Sequence, residues 1–204
     1  MKQYIYLLFG FLLFIGSCSN DNDQYRKEMS SDRMAKDSSF LVVGESPLSS
    51  DQIDRFIGLE YFPINEEYIV DCRIELVSGE EIIKMKTSTD RMPDYRVFGY
   101  VYFQIDGQDL RLTSYQNISL QEDSVYKNFL FIPFTDDNST ITTYGGGRYL
   151  DFEIPKSDTF ILDFNKSYNP YCAYNHKWSC VIPPRENSLQ IAINAGEKMY
   201  PDVH

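Results

Sequence analysis

The residues with the clearest chemical potential follow a run of three glycines. Gly145–Gly147 stand directly before Arg148. Glycine backbone can turn its amides toward an anion, and a guanidinium can add two parallel hydrogen bonds to a carboxylate or phosphate. This spacing predicts an anion site at Gly146 and Arg148. The same residues also fit a tight turn between strands, in which Arg148 pairs internally with Asp151 or Asp163.

More polar residues follow in the next predicted strand and loop. Asp163 and Asn165 alternate with apolar residues, so their side chains lie on one face of a strand. Asn169 comes shortly afterwards. Together with Arg148 they predict a pocket for a polar ligand, and a hydrogen-bonded corner that pins a long loop fits equally well. The aromatic walls of the pocket would come from Tyr144, Tyr168 and Tyr174.

The cysteines of the second half permit three interpretations. Cys172, His176 and Cys180 are each four residues apart. Two thiolates and an imidazole are a zinc ligand set that leaves an open position. In an oxidising compartment, Cys172 and Cys180 would instead form a disulfide that closes a short loop, or they stay free thiols. We predict the disulfide, and we assign no metal and no cofactor.

No motif in the sequence identifies a catalytic residue. The nucleophile elbow, the paired-histidine zinc motif and the phosphate-binding loop do not occur. A serine hydrolase would depend on His176, since the other histidine is His204 at the end of the chain. Carboxylates for sugar hydrolysis are present, but their spacing selects no pair. The candidates are Asp136, Asp151, Asp163, Glu186 and Glu197.

The N-terminal segment predicts where the protein works. Lys2, the apolar run 4–15 and the small residues before Cys18 are typical of a signal peptide. Because the run ends on a cysteine, it resembles a bacterial lipobox, whose cysteine is lipidated and becomes the mature N-terminus. The run is shorter than the about 20 apolar residues that span a bilayer. We expect a signal peptide over 1–17 and a lipid anchor at Cys18, the alternative being an uncleaved anchor.

The composition of the chain limits the classes of partner that it can bind. The chain has 204 residues and a net charge of −11, with no basic cluster, which argues against nucleic acid. Acidic proteins are also repelled by anionic lipid headgroups, so we expect acyl chains alone to attach the protein to the membrane. We expect a cell-envelope location, anchored to the outer membrane on its periplasmic face or at the cell surface. A polar tether with a possible short helix would cover 18–37, and one domain would cover 38–204.

Short apolar runs separated by turn residues predict a mainly β fold. One hairpin would pair Val70–Val77 with Glu80–Thr87. A second would turn at Asp106-Gly107 and pair Ile105 with Gln108, which also brings Tyr102 to Arg111. We expect an antiparallel barrel or sandwich of short strands with one or two short N-terminal helices, the second at Ser49–Phe56. Further strands are predicted at Phe129–Phe134, Tyr149–Ile154, Thr159–Phe164 and Leu189–Ile193.

Two longer motifs carry a family resemblance. They are Gly-Gly-Gly-Arg-Tyr at 145–149 and Asp-Phe-Asn followed by Tyr-Asn-Pro-Tyr-Cys within 163–172. In this order, and with Ser46-Pro47-Leu48 and Tyr61-Phe62 upstream, the chain resembles the bacterial and archaeal family called domain of unknown function 1684, over roughly residues 33–200. Asp90 stands where the family pattern has glycine. The resemblance implies no reaction and supplies no catalytic residue.

These observations favour a non-enzymatic envelope lipoprotein that binds a small polar or anionic ligand or a glycan. The predicted ligand-binding residues are Gly146, Arg148, Asp163, Asn165 and Asn169. A hydrolase acting on an envelope carbohydrate or ester is the first alternative, and a structural surface protein is the second.

Overall fold

The structure is a computed structural model that describes residues 18–79 and 81–201. The predicted signal peptide over 1–17 lies outside the described residues. The chain divides into two compact units, one ending at Lys36 and the other beginning at Asp37. Helix α1 extends over Cys18–Phe40, so the segment predicted as a tether is helical. Its sequence contains neither glycine nor proline to interrupt a helix. Within the described residues, no helix is both long and apolar enough to cross a membrane.

In the described part of the chain, seven strands form one antiparallel sheet that curls into a half-barrel. Its strand order is β6-β5-β4-β3-β1-β7, and β2 pairs separately with β3. The prediction of a mainly β antiparallel fold is confirmed. The strands are β1 Ile69–Leu76, β2 Ile82–Lys84, β3 Asp94–Ile105, β4 Gln108–Asn117, β5 Phe129–Phe134, β6 Arg148–Glu153 and β7 Thr159–Asp163.

The hairpin between β3 and β4 has the predicted register. Ile105 pairs with Gln108 across the turn. Asp106 and Gly107 have φ angles of 51° and 72°, as a two-residue turn of this type requires. Tyr102 pairs with Arg111 in this ladder, as predicted, whereas the Arg111 guanidinium lies over the ring of Tyr100, 4.9 Å from its centroid.

The predicted hairpin between Val70–Val77 and Glu80–Thr87 is wrong. β1 pairs with β3 on one side and with β7 on the other, whereas β2 pairs with β3. Both edges of β1 are therefore occupied by other strands. Cys72 on β1 is buried, with 3% of its surface exposed, because alternation along a strand fixes which side chains face inward whichever strand is the neighbour.

A register shift in β3 separates two hydrophobic clusters. It falls between Val97 and Gly99, and an inserted residue of this kind reverses which side chains face each side of a sheet. Tyr95 therefore faces the cluster that contains Tyr115, whereas Val101 faces the main core. A Cβ on Gly99 would lie 2.8 Å from the Glu75 carbonyl oxygen, so the bulge requires glycine.

Two predicted elements are shorter or less regular than expected. Helix α2 covers only Ser50–Ile53 and begins at a capping box between Ser49 and Gln52. The predicted strand Leu189–Ile193 has no ladder, and it joins the end of β5 through isolated hydrogen bonds, such as the one from the Leu189 amide to the Thr135 carbonyl oxygen at 2.8 Å. Leu189, Ile191 and Ile193 are nevertheless in the main core, and their alternation produces the strand-like pattern of the sequence.

Candidate functional site

Arg148, the central residue of the predicted anion site, is enclosed by protein. Only 1% of its surface is exposed, and it pairs with the equally buried Asp136, whose Oδ2 accepts from Nη2 at 2.9 Å. The guanidinium also donates to the carbonyl oxygens of Ile193 at 2.9 Å and of Ala195. Burial lowers the pKa of Arg148, and the Asp136 charge opposes that shift. Arg148 therefore pairs internally, as the turn interpretation predicts, but neither Asp151 nor Asp163 is the partner.

Gly146 belongs to a tight turn that leads into this ion pair. The Gly147 amide donates to the Tyr144 carbonyl oxygen at 3.0 Å. Gly147 has a φ of +86°, and a Cβ there would lie 2.5 Å from the Phe134 carbonyl oxygen. A side chain at Gly146 would collide with the Tyr144 ring. The glycines therefore allow close packing against the end of β5.

Asp163 and Asn165 hold the end of β7 to a distant loop. Asp163 Oδ1 accepts from the Asn165 amide and from its side chain, both at 3.0 Å. Asn165 in turn accepts from the Asn65 amide at 3.0 Å and donates to the Asn65 carbonyl oxygen at 2.9 Å. These contacts match the corner interpretation of the sequence.

Asn169 and Tyr174 converge on a buried carboxylate. Glu197, 1% exposed, accepts from the Asn169 amide at 2.8 Å and from the Tyr174 hydroxyl at 2.6 Å. The Asn169 side chain donates to the Lys198 carbonyl oxygen at 2.7 Å. We call Arg148, Asp136, Glu197, Tyr174 and Asn169 the buried polar cluster.

A second region, on the other side of the sheet, is open. A cavity of about 450 Å³ lies beside the smaller hydrophobic cluster, within the range of small-molecule sites. None of the five predicted ligand-binding residues lines it. We call it the aromatic cavity, after the rings of Tyr95, Tyr126, Phe131, Tyr149, Tyr171 and Trp178 that wall it.

One carboxylate stands in the wall of this cavity. Asp151 on β6 is exposed to solvent through the opening, and its Oδ2 accepts from the Tyr168 hydroxyl at 2.5 Å. Protein surrounds the carboxyl on its other sides, and this burial raises the pKa of Asp151, with a smaller lowering from the Tyr168 hydrogen bond. The carboxylate of Asp151 can accept further hydrogen bonds, and it lines a cavity that a ligand can enter.

The outer wall of the cavity is a loop over 170–181 that is bound to the loop before β3. Arg91 donates from Nε to Ser179 Oγ at 3.0 Å and from Nη2 to the Ser179 carbonyl oxygen at 2.8 Å. The indole of Trp178 donates to the Pro47 carbonyl oxygen at 3.0 Å. These bonds hold Arg91 and Trp178 at the cavity.

Cys172 and Cys180 lie next to each other in this loop as free thiols. The predicted disulfide is thus not formed in the structure, and the redox state of the pair stays a prediction. His176 is exposed. Among the described residues, no three His, Cys, Asp or Glu side chains are grouped to hold a metal ion.

Sequence reasoning missed most of the cavity. Of the predicted aromatic walls, Tyr168 lines it, but Tyr144 and Tyr174 do not. Arg91, Tyr95 and Trp178 lie far apart in sequence, and aromatic residues make up 15% of the whole chain, so their local density marks no particular segment. Only the tertiary fold brings them together.

The fold and the cavity define a class: a mainly antiparallel β protein with one half-barrel sheet and a pocket of small-molecule size. The family model described as Protein of unknown function (DUF1684) matches residues 54–198. The chain belongs to this family. The match includes every strand of the sheet and every residue that lines the cavity.

The chain is also similar to a solved structure over most of its length. The chain is similar to the uncharacterized protein from gene locus rrnAC0354 of Haloarcula marismortui, determined by solution NMR, with 30% identity and a TM-score of 0.69. The similarity covers 91% of this chain and 100% of that one. No curated protein matches the chain.

Proposed function

We propose that this protein binds a small polar ligand in the aromatic cavity, and that the ligand is a sugar or the end of a glycan. The observation that carries the proposal is the placement of Asp151, a carboxylate that is open to a cavity walled by aromatic rings. Sugar rings have apolar faces that pack on aromatic side chains and hydroxyl groups that donate to a carboxylate.

The polar groups of the cavity suit a ligand with several hydroxyls. Asp151 supplies acceptors, while Arg91 and Asn117 add donors at the lining. Asp151 and the net charge of −11 disfavour an anion here. The anionic ligand considered from the sequence depended on Arg148, whose guanidinium is already paired with Asp136.

An organic cation is the second candidate. Aromatic faces around a single negative charge are a binding arrangement for ammonium groups, and Tyr95, Tyr149 and Tyr168 surround Asp151. The two candidates differ in charge, so ligand panels separate them.

Hydrolysis receives less support than binding. Most glycoside hydrolases use two carboxyl groups that flank the scissile bond. Among the described residues that line the cavity, Asp151 is the one carboxylate. Asp136 and Glu197 belong to the buried polar cluster, and Glu186 accepts from the Tyr115 hydroxyl at 2.9 Å. A purely structural surface protein gives no reason for an open cavity of this size.

The fluorescence of Trp178, the single tryptophan, tests the proposal in the full chain. The panel contains glucose, galactose, mannose and N-acetylglucosamine as neutral sugars, and choline and tetramethylammonium as cations. We expect saturable quenching by at least one sugar, and at least about tenfold weaker binding, equivalent to about 1.4 kcal/mol, in Asp151→Asn.

Glu153→Gln is the matched control, because Glu153 is an exposed carboxylate on the same strand and does not line the cavity. It should bind as the parent does. Quenching by the cations alone would favour the second candidate. If neither set binds, or if Asp151→Asn and Glu153→Gln behave alike, ligand binding at Asp151 is contradicted.

We also propose, from the N-terminal residues, that the protein is a lipoprotein of the cell envelope, anchored to the outer membrane through Cys18. Replacement of Cys18 by Ala should release the protein from membranes or leave it unprocessed. A variant that is still processed and still needs detergent for extraction would contradict the lipid anchor.

A further inference from the structure

Cys172 and Cys180 share one hydrogen-bonded environment. The Cys172 amide donates to Cys180 Sγ at 3.1 Å, and the Tyr144 hydroxyl donates to Cys172 Sγ at 3.7 Å. Hydrogen bonding between the two side chains is also the first cause of the pKa shift of each thiol. A disulfide requires that the two side chains can bring their sulfurs to bonding distance, and the contact between the Cys172 amide and Cys180 Sγ places these side chains next to each other.

The environment makes the two sulfurs chemically unequal. The hydrogen bond from Cys180 lowers the pKa of Cys172 to about 7, so a large fraction is thiolate, the nucleophilic form, at neutral pH. The same hydrogen bond raises the pKa of Cys180. Cys72 is different, because burial in the core raises its pKa to about 12.

The burial of Cys172 limits the size of the oxidant that can reach the pair. Cys180 lines the aromatic cavity, while Cys172 lies behind it with 6% of its surface exposed. This low exposure excludes a protein disulfide as the oxidant of Cys172, whereas a molecule of a few atoms can enter the aromatic cavity that Cys180 lines. Trp178, between the two cysteines in sequence, lines the same cavity.

We propose that Cys172 and Cys180 form a reversible redox pair that small peroxides oxidise to a disulfide. The Cys172 thiolate attacks one peroxide oxygen, the O–O bond breaks, and a sulfenic acid and hydroxide are formed. Cys180 sulfur then attacks Cys172 sulfur, and the hydroxyl group leaves as water with the Cys180 proton. The pair loses two electrons, and hydrogen peroxide becomes one water and one hydroxide. This inference does not depend on ligand binding.

Peptide mapping of the full chain tests the pair. Trypsin cuts after Lys177 and therefore places Cys172 in peptide 167–177 and Cys180 in peptide 178–185. After exposure to hydrogen peroxide and alkylation of the remaining thiols, we expect the two peptides to be linked. Dithiothreitol added to the folded protein should separate them again. Cys72 should remain a thiol throughout and serves as the internal control.

Cys180→Ser isolates the second step. In this variant Cys172 should reach the sulfenic and then the sulfinic acid with no linked peptide. Two results would overturn the proposal. One is oxidation of the parent to sulfinic or sulfonic acid without a link, and the other is a link that dithiothreitol does not open in the folded protein.

Discussion

Strand β6 carries charged residues on both of its faces. The charge on one face is enclosed by protein, whereas a charge on the other face lines an open cavity. Arg148 and Asp151 are three positions apart and therefore point to opposite sides of the sheet. Arg148 donates to Asp136 and to backbone carbonyl oxygens in the buried polar cluster. Asp151 accepts from the Tyr168 hydroxyl and lines the aromatic cavity.

This difference separates a charge that stabilises the fold from a charge that is open to a ligand. Both regions combine glycine or aromatic residues with charged groups, so their residue types look alike in the sequence. What distinguishes them is whether protein encloses the charged group or leaves it open to a cavity. The buried polar cluster is enclosed, whereas Asp151 keeps acceptor capacity at a cavity large enough for a ligand.

The largest expected effect is on the buried polar cluster. Arg148→Met would leave Asp136 buried without its counter-ion, and we expect a loss of about 3–5 kcal/mol in the free energy of unfolding. Arg185→Ala, which changes an exposed arginine, should stay within about 0.5 kcal/mol of the parent. Urea denaturation measures both. A loss below about 1 kcal/mol for Arg148→Met would show that the ion pair is not structural.

Two tyrosines give a matched comparison of the regions. Tyr174 donates to Glu197 at 2.6 Å in the buried polar cluster, and Tyr168 donates to Asp151 at 2.5 Å at the cavity. Tyr174→Phe deprives a buried carboxylate of a donor and should cost about 1.5–3 kcal/mol. Tyr168→Phe should cost less, because solvent in the cavity can replace the hydroxyl. Thermal or urea unfolding measures both variants. An equal loss of stability in Tyr174→Phe and Tyr168→Phe would contradict the distinction between the two regions.

The smallest effect is a pH dependence of stability. The folded protein holds the pKa of Asp151 above its usual value, mainly through burial, so the ionised carboxylate is less favourable there than in the unfolded chain. Its contribution to stability therefore falls as pH rises from the unfolded pKa through the folded one. Asp151→Asn should remove this decline and be the more stable protein at neutral pH. Urea midpoints of the parent and of Asp151→Asn at pH 4 and pH 7 measure the difference. A parent whose stability relative to Asp151→Asn increases from pH 4 to pH 7 would contradict the prediction.

Local sequence signals predicted the parts of the fold that depend on neighbouring residues. Asp106-Gly107 fixes its hairpin because both residues adopt the positive φ angles of the turn. The pairing of β1 with β3 and β7 depends on residues far along the chain, and no local signal encodes it. The apolar residues at Leu189–Ile193 indicated burial, but burial does not require a strand.

The site could be predicted only in part for the same reason, because its contacts join residues from separate segments. The sequence identified Arg148 as an unusual arginine, and its internal pairing was one of the two interpretations. Its partner, Asp136, precedes it by twelve residues on a separate loop, so spacing could not select it. The cavity joins Arg91, Asp151 and Trp178 from three segments, which only the bulged and curled sheet brings together.

One measurement compares the two regions directly: a ¹H–¹⁵N NMR titration of the full chain with the four sugars of the panel. The chain has a single indole N–H, from Trp178, and the Arg148 guanidinium reports on the buried polar cluster. We expect that a sugar shifts the Trp178 indole signal and leaves the Arg148 Nε–H signal in place, and that the Trp178 shift is lost in Asp151→Asn. Shifts centred on Arg148, with the Trp178 signal unchanged, would contradict it.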